Sequence, residues 1–243
     1  MIDDLTALRL QRDWGVDEAL GERPVDRFAA ATRPALPAAP RLAPAAATVG
    51  SGVRARTLEE LHRELEQFEG CPLRATATHT VRPSGSPAAP VMLIGDAPGS
   101  DDDRSGQAFS GEAGAMVDGV LRSIGLDRSS VLLTTMVPWR PPGNRPASET
   151  EIQACLPFVH RLIGIVRPRV AVLLGAVPVA ALTGQAGTIR QLRGRWIELA
   201  LASEQTTVAG LPMLPLTQWL RDATTKQQLW SDLLLLQNRL ATT

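Results

Sequence analysis

The chain has 243 residues, with a hydrophobic fraction of 44% and a charged fraction of 21%, the balance of a globular protein able to bury a sizeable core. Basic and acidic residues number 25 each, which excludes a general cationic coat for nucleic acid and leaves room only for a local basic patch. No run reaches ~18 consecutive apolar residues, so a membrane-spanning helix is excluded as well.

The acidic start Met1-Ile2-Asp3-Asp4 has no apolar stretch of the kind a signal peptide needs. Cys71 and Cys155 stand far apart and neither belongs to a C-x-x-C pair, so they form no disulfide framework. Together these features lead to the expectation of a cytoplasmic protein. Leu5, Leu8 and Leu10 predict a short helical segment within residues 1–27. Residues 28–56 are dominated by Ala and Pro and read as a semi-extended linker. The folded domain is expected over 57–243. It opens with the capping box Thr57-Leu58-Glu59-Glu60 and a helix to about Phe68, whose Leu58, Leu61, Leu65 and Phe68 fall on one face.

From Val91 the pattern changes. Val91-Met92-Leu93-Ile94, Val131-Leu132-Leu133-Thr134 and Val170-Ala171-Val172-Leu173-Leu174 are short continuous apolar runs, as expected of strands buried on both faces. Helices are predicted between them, over about 111–124 and, from the capping box Ser148-Glu149-Thr150-Glu151, to about Val166. Another follows over 176–182, weaker strands lie near Val208 and Met213-Leu214, and a last helix runs over about 224–240. Strands alternating with helices predict an α/β fold with a largely parallel sheet.

Ligands of such sheets bind outside the carboxyl ends of the strands. The segment after the first strand runs from Gly95-Asp96-Ala97-Pro98-Gly99 through Asp101-Asp102-Asp103 to Phe109-Ser110-Gly111 and Gly114. It contains neither G-x-x-x-x-G-K-[ST] nor G-x-G-x-x-G, and its aspartates would repel phosphate, which argues against a nucleoside triphosphate. Composition alone leaves a solvated acidic loop open as the alternative.

The spacing of this segment resembles the first motif of the uracil-DNA glycosylase superfamily, family 4 in particular, which reads G-E-A-P-G, acidic residues, then G-x-P-F-x-G-x-A-G. Further segments match in order: Arg140-Pro141-Pro142-Gly143-Asn144-Arg145, Ala154-Cys155-Leu156-Pro157, Leu174-Gly175-Ala176 and Arg193-Gly194-Arg195-Trp196. The resemblance spans about residues 68–240. It implies a three-layer α/β/α fold around a central, mostly parallel four-stranded sheet, and DNA base excision by hydrolysis of an N-glycosidic bond. By the same resemblance Asp96 and Asp102 are the candidate catalytic carboxylates. Gly95, Ala97, Pro98, Phe109 and Thr135 would form the base pocket, with Phe109 as the stacking ring, and Arg140, Arg145, Arg193 and Arg195 would meet the DNA backbone.

The chain also departs from the family. Thr135 stands where the family has its base-reading Asn, and one hydroxyl cannot offer the donor and acceptor of an amide. The late segment Leu214-Pro215-Leu216-Thr217-Gln218-Trp219-Leu220-Arg221 lacks the family's His. The four cysteines that hold the family's four-iron, four-sulfur cluster correspond to Phe68, Cys71, Trp139 and Cys155. Two thiols cannot supply four ligands, so no cofactor is expected and the aromatic rings are expected to fill the abandoned site. The expected protein is a monomer with weak, salt-sensitive affinity for DNA and weakened or altered base specificity. The alternative is a catalytically silent member that binds DNA or a protein partner.

Overall fold

The computed structural model describes residues 53–185, 187–201 and 206–242. The expected N-terminal helical segment and residues 28–52 of the linker lie outside these. Residues 53–56 lead directly into the domain: Ala55 is buried in the core and Val53 packs against it.

The elements in chain order are α1 (Leu58–Gln67), β1 (Ser84–Gly85), β2 (Val91–Gly95), α2 (Ser100–Ser105), α3 (Gly111–Arg122), β3 (Val131–Thr135), α4 (Glu149–Val166), β4 (Val170–Leu174), α5 (Ala176–Thr183), α6 (Ile189–Leu192), β5 (Ile197–Leu201), β6 (Thr206–Met213) and α7 (Ala223–Ala241), with 3-10 turns at Pro72–Ala75, Pro142–Asn144 and Leu216–Gln218. The sheet order is β1-β3-β2-β4-β6-β5. β3, β2, β4 and β6 run parallel, and β1 and β5 close the two edges antiparallel. Among the described residues the sheet therefore has six strands where four were expected. The parallel centre is the predicted part. The added edges are a two-residue strand too short for any periodicity and a strand, Ile197–Leu201, with only one face on the core. Val208 and Met213 belong to one strand, β6. Pro212 inside it paired with Leu173, and a proline in a central strand reads as an interruption because it removes a ladder donor.

Alternate residues of the parallel strands build two cores. Met92, Ile94, Leu132, Ala171 and Leu173 face α1, α4 and α5. Val91, Leu93, Val131, Leu133, Val172 and Leu174 face α3 and α7. Every residue of β2, β3 and β4 is buried, which is why these strands read as continuous apolar runs. The result is the expected three-layer arrangement.

Helix starts follow the residues read as caps. Thr57 accepts the Glu60 N–H at 3.2 Å. Ser148 and Glu151 close a reciprocal box: the Ser148 N–H donates to Glu151 Oε2 at 2.7 Å and the Glu151 N–H donates to Ser148 Oγ at 3.3 Å. Glu151 also receives both Nη atoms of Arg145, at 2.8 and 2.6 Å. Its carboxyl is only 5% exposed, and these bonds, the Arg145 guanidinium first, hold it down at about 2.

This arrangement generates a pH-dependent prediction. A carboxyl depressed in the folded state adds stability that is complete above its unfolded value of 4.5 and is lost as pH falls through about 2. Glu151→Gln should lower the unfolding free energy by about 1.5–3 kcal/mol at pH 7. In urea titrations the gap between variant and wild type should narrow steadily below pH 4.5.

Candidate active site

Gly95, the last residue of β2, pairs with Thr135, the last residue of β3, and Leu174 ends β4 on the other side of β2. Parallel strands thus deliver their carboxyl ends to one place, as the strand-end rule requires. There a cleft of about 340 Å³ is lined by Gly95, Asp96, Ala97, Asp102, Phe109 and Thr135 from the first two strand ends, and by Pro215, Leu216, Thr217 and Gln218 from the turn after β6. Of the predicted pocket residues Pro98 alone is absent from the lining; it is buried.

The acidic loop is an anchored turn. Its aspartates lie on the short helix α2, and helical geometry aims each one differently. Asp102 Oδ2 accepts the Gly99 N–H at 3.0 Å, capping α2, and Oδ1 accepts the Ser110 N–H at 2.7 Å and the Ser110 hydroxyl at 2.9 Å. Asp103 accepts the Thr78 N–H at 2.8 Å, the Thr78 hydroxyl at 2.9 Å and the His79 N–H at 3.2 Å. Only Asp101 turns outward, to Arg104 at 3.0 Å. The solvated acidic loop, open on composition, is therefore set aside, and Asp102 touches the cleft as a brace with both oxygens occupied.

Asp96 is different. The residue as a whole is exposed, while its carboxyl lies against the start of α5, where a Cβ on Gly175 would come within 2.7 Å of Oδ1. Crowding by protein pushes the carboxyl up to about 6, opposed by a hydrogen bond from the Val177 backbone N–H. Among the carboxylates on the cleft wall, Asp96 is the one left to face a ligand.

Phe109 is half-buried and lies across the end of β2: a Cβ on Gly95 would meet its Cζ at 2.8 Å. Its backbone has φ 54°, a left-handed value unusual for a bulky residue. Arg128 holds it there. One guanidinium donates to the Phe109 carbonyl at 2.6 Å, to Ser84 Oγ at 2.7 Å and to Asp118 Oδ1 at 2.7 Å, while Ser84 Oγ donates to the Ala108 carbonyl at 2.6 Å. Arg128 and Ser84 lie outside every motif read in the sequence, and no local pattern marks them.

Thr135 is buried and its hydroxyl donates to the Val137 carbonyl at 2.8 Å, so toward the cleft it can only accept. The histidines lie elsewhere: His62 bonds Glu66 at 2.8 Å, His79 meets the Asp103 carbonyl at 2.7 Å, and burial lowers the pKa of His160 on α4. The late segment, read in the sequence only for a missing histidine, supplies Thr217 and Gln218 instead. The strand-end rule applied to β6 would have pointed to them.

The arginines divide. Arg145 is clamped to Glu151. Arg193 forms a two-point pair with Asp232 at 2.9 and 2.7 Å and also donates to the Gln228 carbonyl, tying its turn to α7. Arg140 donates to Asn144 Oδ1 at 2.7 Å. Arg195 is exposed, with no ion pair among the described residues.

Phe68, Cys71, Trp139 and Cys155 converge on one core. The Phe68 and Trp139 rings stack with centroids 6.4 Å apart and planes inclined by 14°, and Phe158 meets Phe68 edge-on at 5.0 Å. Trp139 is 1% exposed and its Nε1 donates to Thr80 Oγ1 at 3.1 Å. Phe68 is only half-buried, a lid over the others. A hydrogen bond with Cys155 pulls the Cys71 thiol down to about 7, and the same contact together with burial pushes Cys155 well up. This set of two thiols and two stacked rings does not fit a cluster that needs four thiolates.

A family model for the uracil DNA glycosylase superfamily matches residues 82–234. Among curated proteins the chain is 36% identical over 125 residues to the type-4 uracil-DNA glycosylase of Pyrobaculum aerophilum, covering 51% of this chain and 64% of that protein. It is 38% identical over 120 residues to the type-4 enzyme of Sulfurisphaera tokodaii, covering 49% and 54%, and 31% identical over 146 residues to that of Thermotoga maritima, covering 60% and 76%. The match thus spans less than two thirds of the Pyrobaculum and Sulfurisphaera proteins.

The raised Asp96 carboxyl generates a prediction about stability. A folded-state value above the unfolded 3.8 means that its contribution is complete below pH 3.8 and is lost as pH rises through about 6. Asp96→Asn should melt at a higher temperature than wild type at pH 8, with the difference vanishing below pH 4, in calorimetry across that range.

Proposed function

Since the chain belongs to the uracil DNA glycosylase superfamily and gathers Asp96, Phe109 and Thr135 in one cleft, we propose that it hydrolyses the N-glycosidic bond of a base turned out of DNA, with weakened or altered base specificity. The observation that carries this reading is the Asp96 carboxyl. It faces the cleft and ionises near 6, so at neutral pH it is a carboxylate able to take a proton from water and to favour positive charge on the opening sugar. Turning the base out costs a few kcal/mol, and the flat Phe109 ring across Gly95 offers a surface on which the base stacks. Asp102 serves by fixing the loop that carries Phe109.

The weakened specificity rests on two groups. Thr135 has committed its only proton to Val137. No histidine lines the cleft, and loss of one donor to a departing anion costs about 3 kcal/mol. A silent, binding-only protein is the second reading, favoured by the engagement of Asp102 and Thr135 within the protein itself.

DNA is the proposed partner, held weakly because Arg145 and Arg193 are engaged in internal pairs and Arg140 and Arg195 are the basic groups left to meet phosphate. The affinity should accordingly be salt-sensitive, falling with added salt by about one unit of logarithmic slope per phosphate contact. Of the four arginines expected to meet the DNA backbone, Arg140 and Arg195 are the stronger candidates. We further propose a cytoplasmic monomer; among the described residues no helix is long and apolar enough to cross a membrane.

We infer that the protein carries no iron–sulfur cluster. The stacking of Trp139 on Phe68 beside Cys71 and Cys155 supports this, and a buried Trp truncated to Ala typically costs about 3–5 kcal/mol. Protein purified without oxygen should be colourless and free of iron, and Trp139→Ala should lose stability of that order without gaining iron. Brown, iron-loaded protein would contradict this.

Single-turnover assays on duplexes carrying uracil, hypoxanthine, xanthine or an alkylated base test the activity. Uracil opposite guanine should be removed far more slowly than a specialised enzyme removes it, and Thr135→Asn should raise that rate. Excision should climb as pH rises through about 6 and then level off. Asp96→Asn should lower it by about 100-fold or more and remove the inflection. No excision of any base, with no gain from Thr135→Asn, would favour the binding-only reading.

A further inference from the structure

A pocket that selects a base needs a group that reads its polar edge, and the polar side chains on this wall can be taken in turn. Asp102 has both oxygens occupied by Gly99 and Ser110. Thr135 has donated its proton to Val137. Asp96, once ionised, only accepts. Thr217 offers a single hydroxyl. Gln218 carries a donor and an acceptor side by side in one plane. It is half-buried on the cleft wall, and among the described residues its amide has no hydrogen-bond partner within the protein.

The turn that carries Gln218 is held from behind. The Gln218 N–H donates to the Pro215 carbonyl at 2.9 Å and the Trp219 N–H to the Leu216 carbonyl at 3.0 Å. Trp219 packs edge-on against Trp230 of α7 at 6.2 Å, and Lys226 lies 5.5 Å from its ring centroid. The backbone at Gln218 is therefore fixed while its side chain stays uncommitted, which is the condition for a recognition group.

We propose that the Gln218 amide reads the base edge in this pocket, the task for which Thr135 lacks a donor. This rests on the glycosylase reading above. The substrate class it selects is the lactam base, with a ring N–H beside a carbonyl. Uracil, hypoxanthine and xanthine share that pair, which matches the oxygen and nitrogen of an amide. Because no protein group sets which way the amide points, the pocket discriminates less sharply among these bases than a site with a locked amide would.

The test uses the full chain and oligonucleotides carrying 2′-fluoro-deoxyuridine or 2′-fluoro-deoxyinosine, in which the electron-withdrawing fluorine slows glycosidic cleavage, with a tetrahydrofuran site as the baseless control. Affinity is read by fluorescence anisotropy, alongside single-turnover excision of the unfluorinated bases. Wild type should prefer both lactam probes to the control. Q218A should lose about 10-fold of that preference, within the range of one base-edge contact, and Q218E, equal in shape but without the amide donor, should lose it as well. Both variants should keep the wild-type melting temperature. Preference and excision unchanged in Q218A would overturn the role of Gln218 and leave the glycosylase reading standing. Wild type that neither excises a base nor prefers a lactam probe would overturn both.

Discussion

Everything at the candidate site depends on one backbone constraint: β2 is paired in parallel on both sides. A strand with parallel neighbours on either hand must release its chain at the same edge of the sheet as they do. Gly95, Thr135 and Leu174 therefore end together, and β6, parallel to β4, brings the Pro215–Gln218 turn to the same edge. Two apolar cores clamp this ladder from opposite faces. The loops are free to carry chemistry because they contribute little to holding the sheet.

Within that edge the carboxylates divide by their partners. Asp102 and Asp103 together accept six hydrogen bonds from backbone and side-chain donors, the setting in which a carboxylate organises a loop. Asp96 has the crowding without a comparable set of donors, and its ionisation moves upward. A group held at a cost to its charged form is what a proton-accepting site requires, and the same crowding makes it a poor contributor to stability.

Much of the fold was legible in the sequence because strands buried on both faces appear as unbroken apolar runs and capping boxes mark helix starts. Ser84–Gly85 could not be seen, since two residues have no period, and Pro212 split β6 into two fragments. At the site, the spacing from Gly95 to Gly114 brought the right segment forward. It could not rank the consecutive aspartates, because their difference is one of helical phase on α2, a turn of roughly 100° per residue. Arg128 was hidden because its bonds to Phe109 and Ser84 join positions distant in sequence. The cluster remnant was readable as four aligned positions, but only the three-dimensional arrangement sets Phe68 apart as a half-exposed lid.

The left-handed backbone at Phe109 has a consequence for how this loop would respond to change. A bulky residue at positive φ costs about 1–3 kcal/mol relative to a relaxed conformation, whereas Gly or Asn adopts it with ease. A random search for thermostable variants should therefore favour Gly or Asn at this position, and each would delete the ring that closes over Gly95. Selection for robustness and selection for an aromatic floor pull against each other at this residue, and the presence of phenylalanine there records which of the two prevailed.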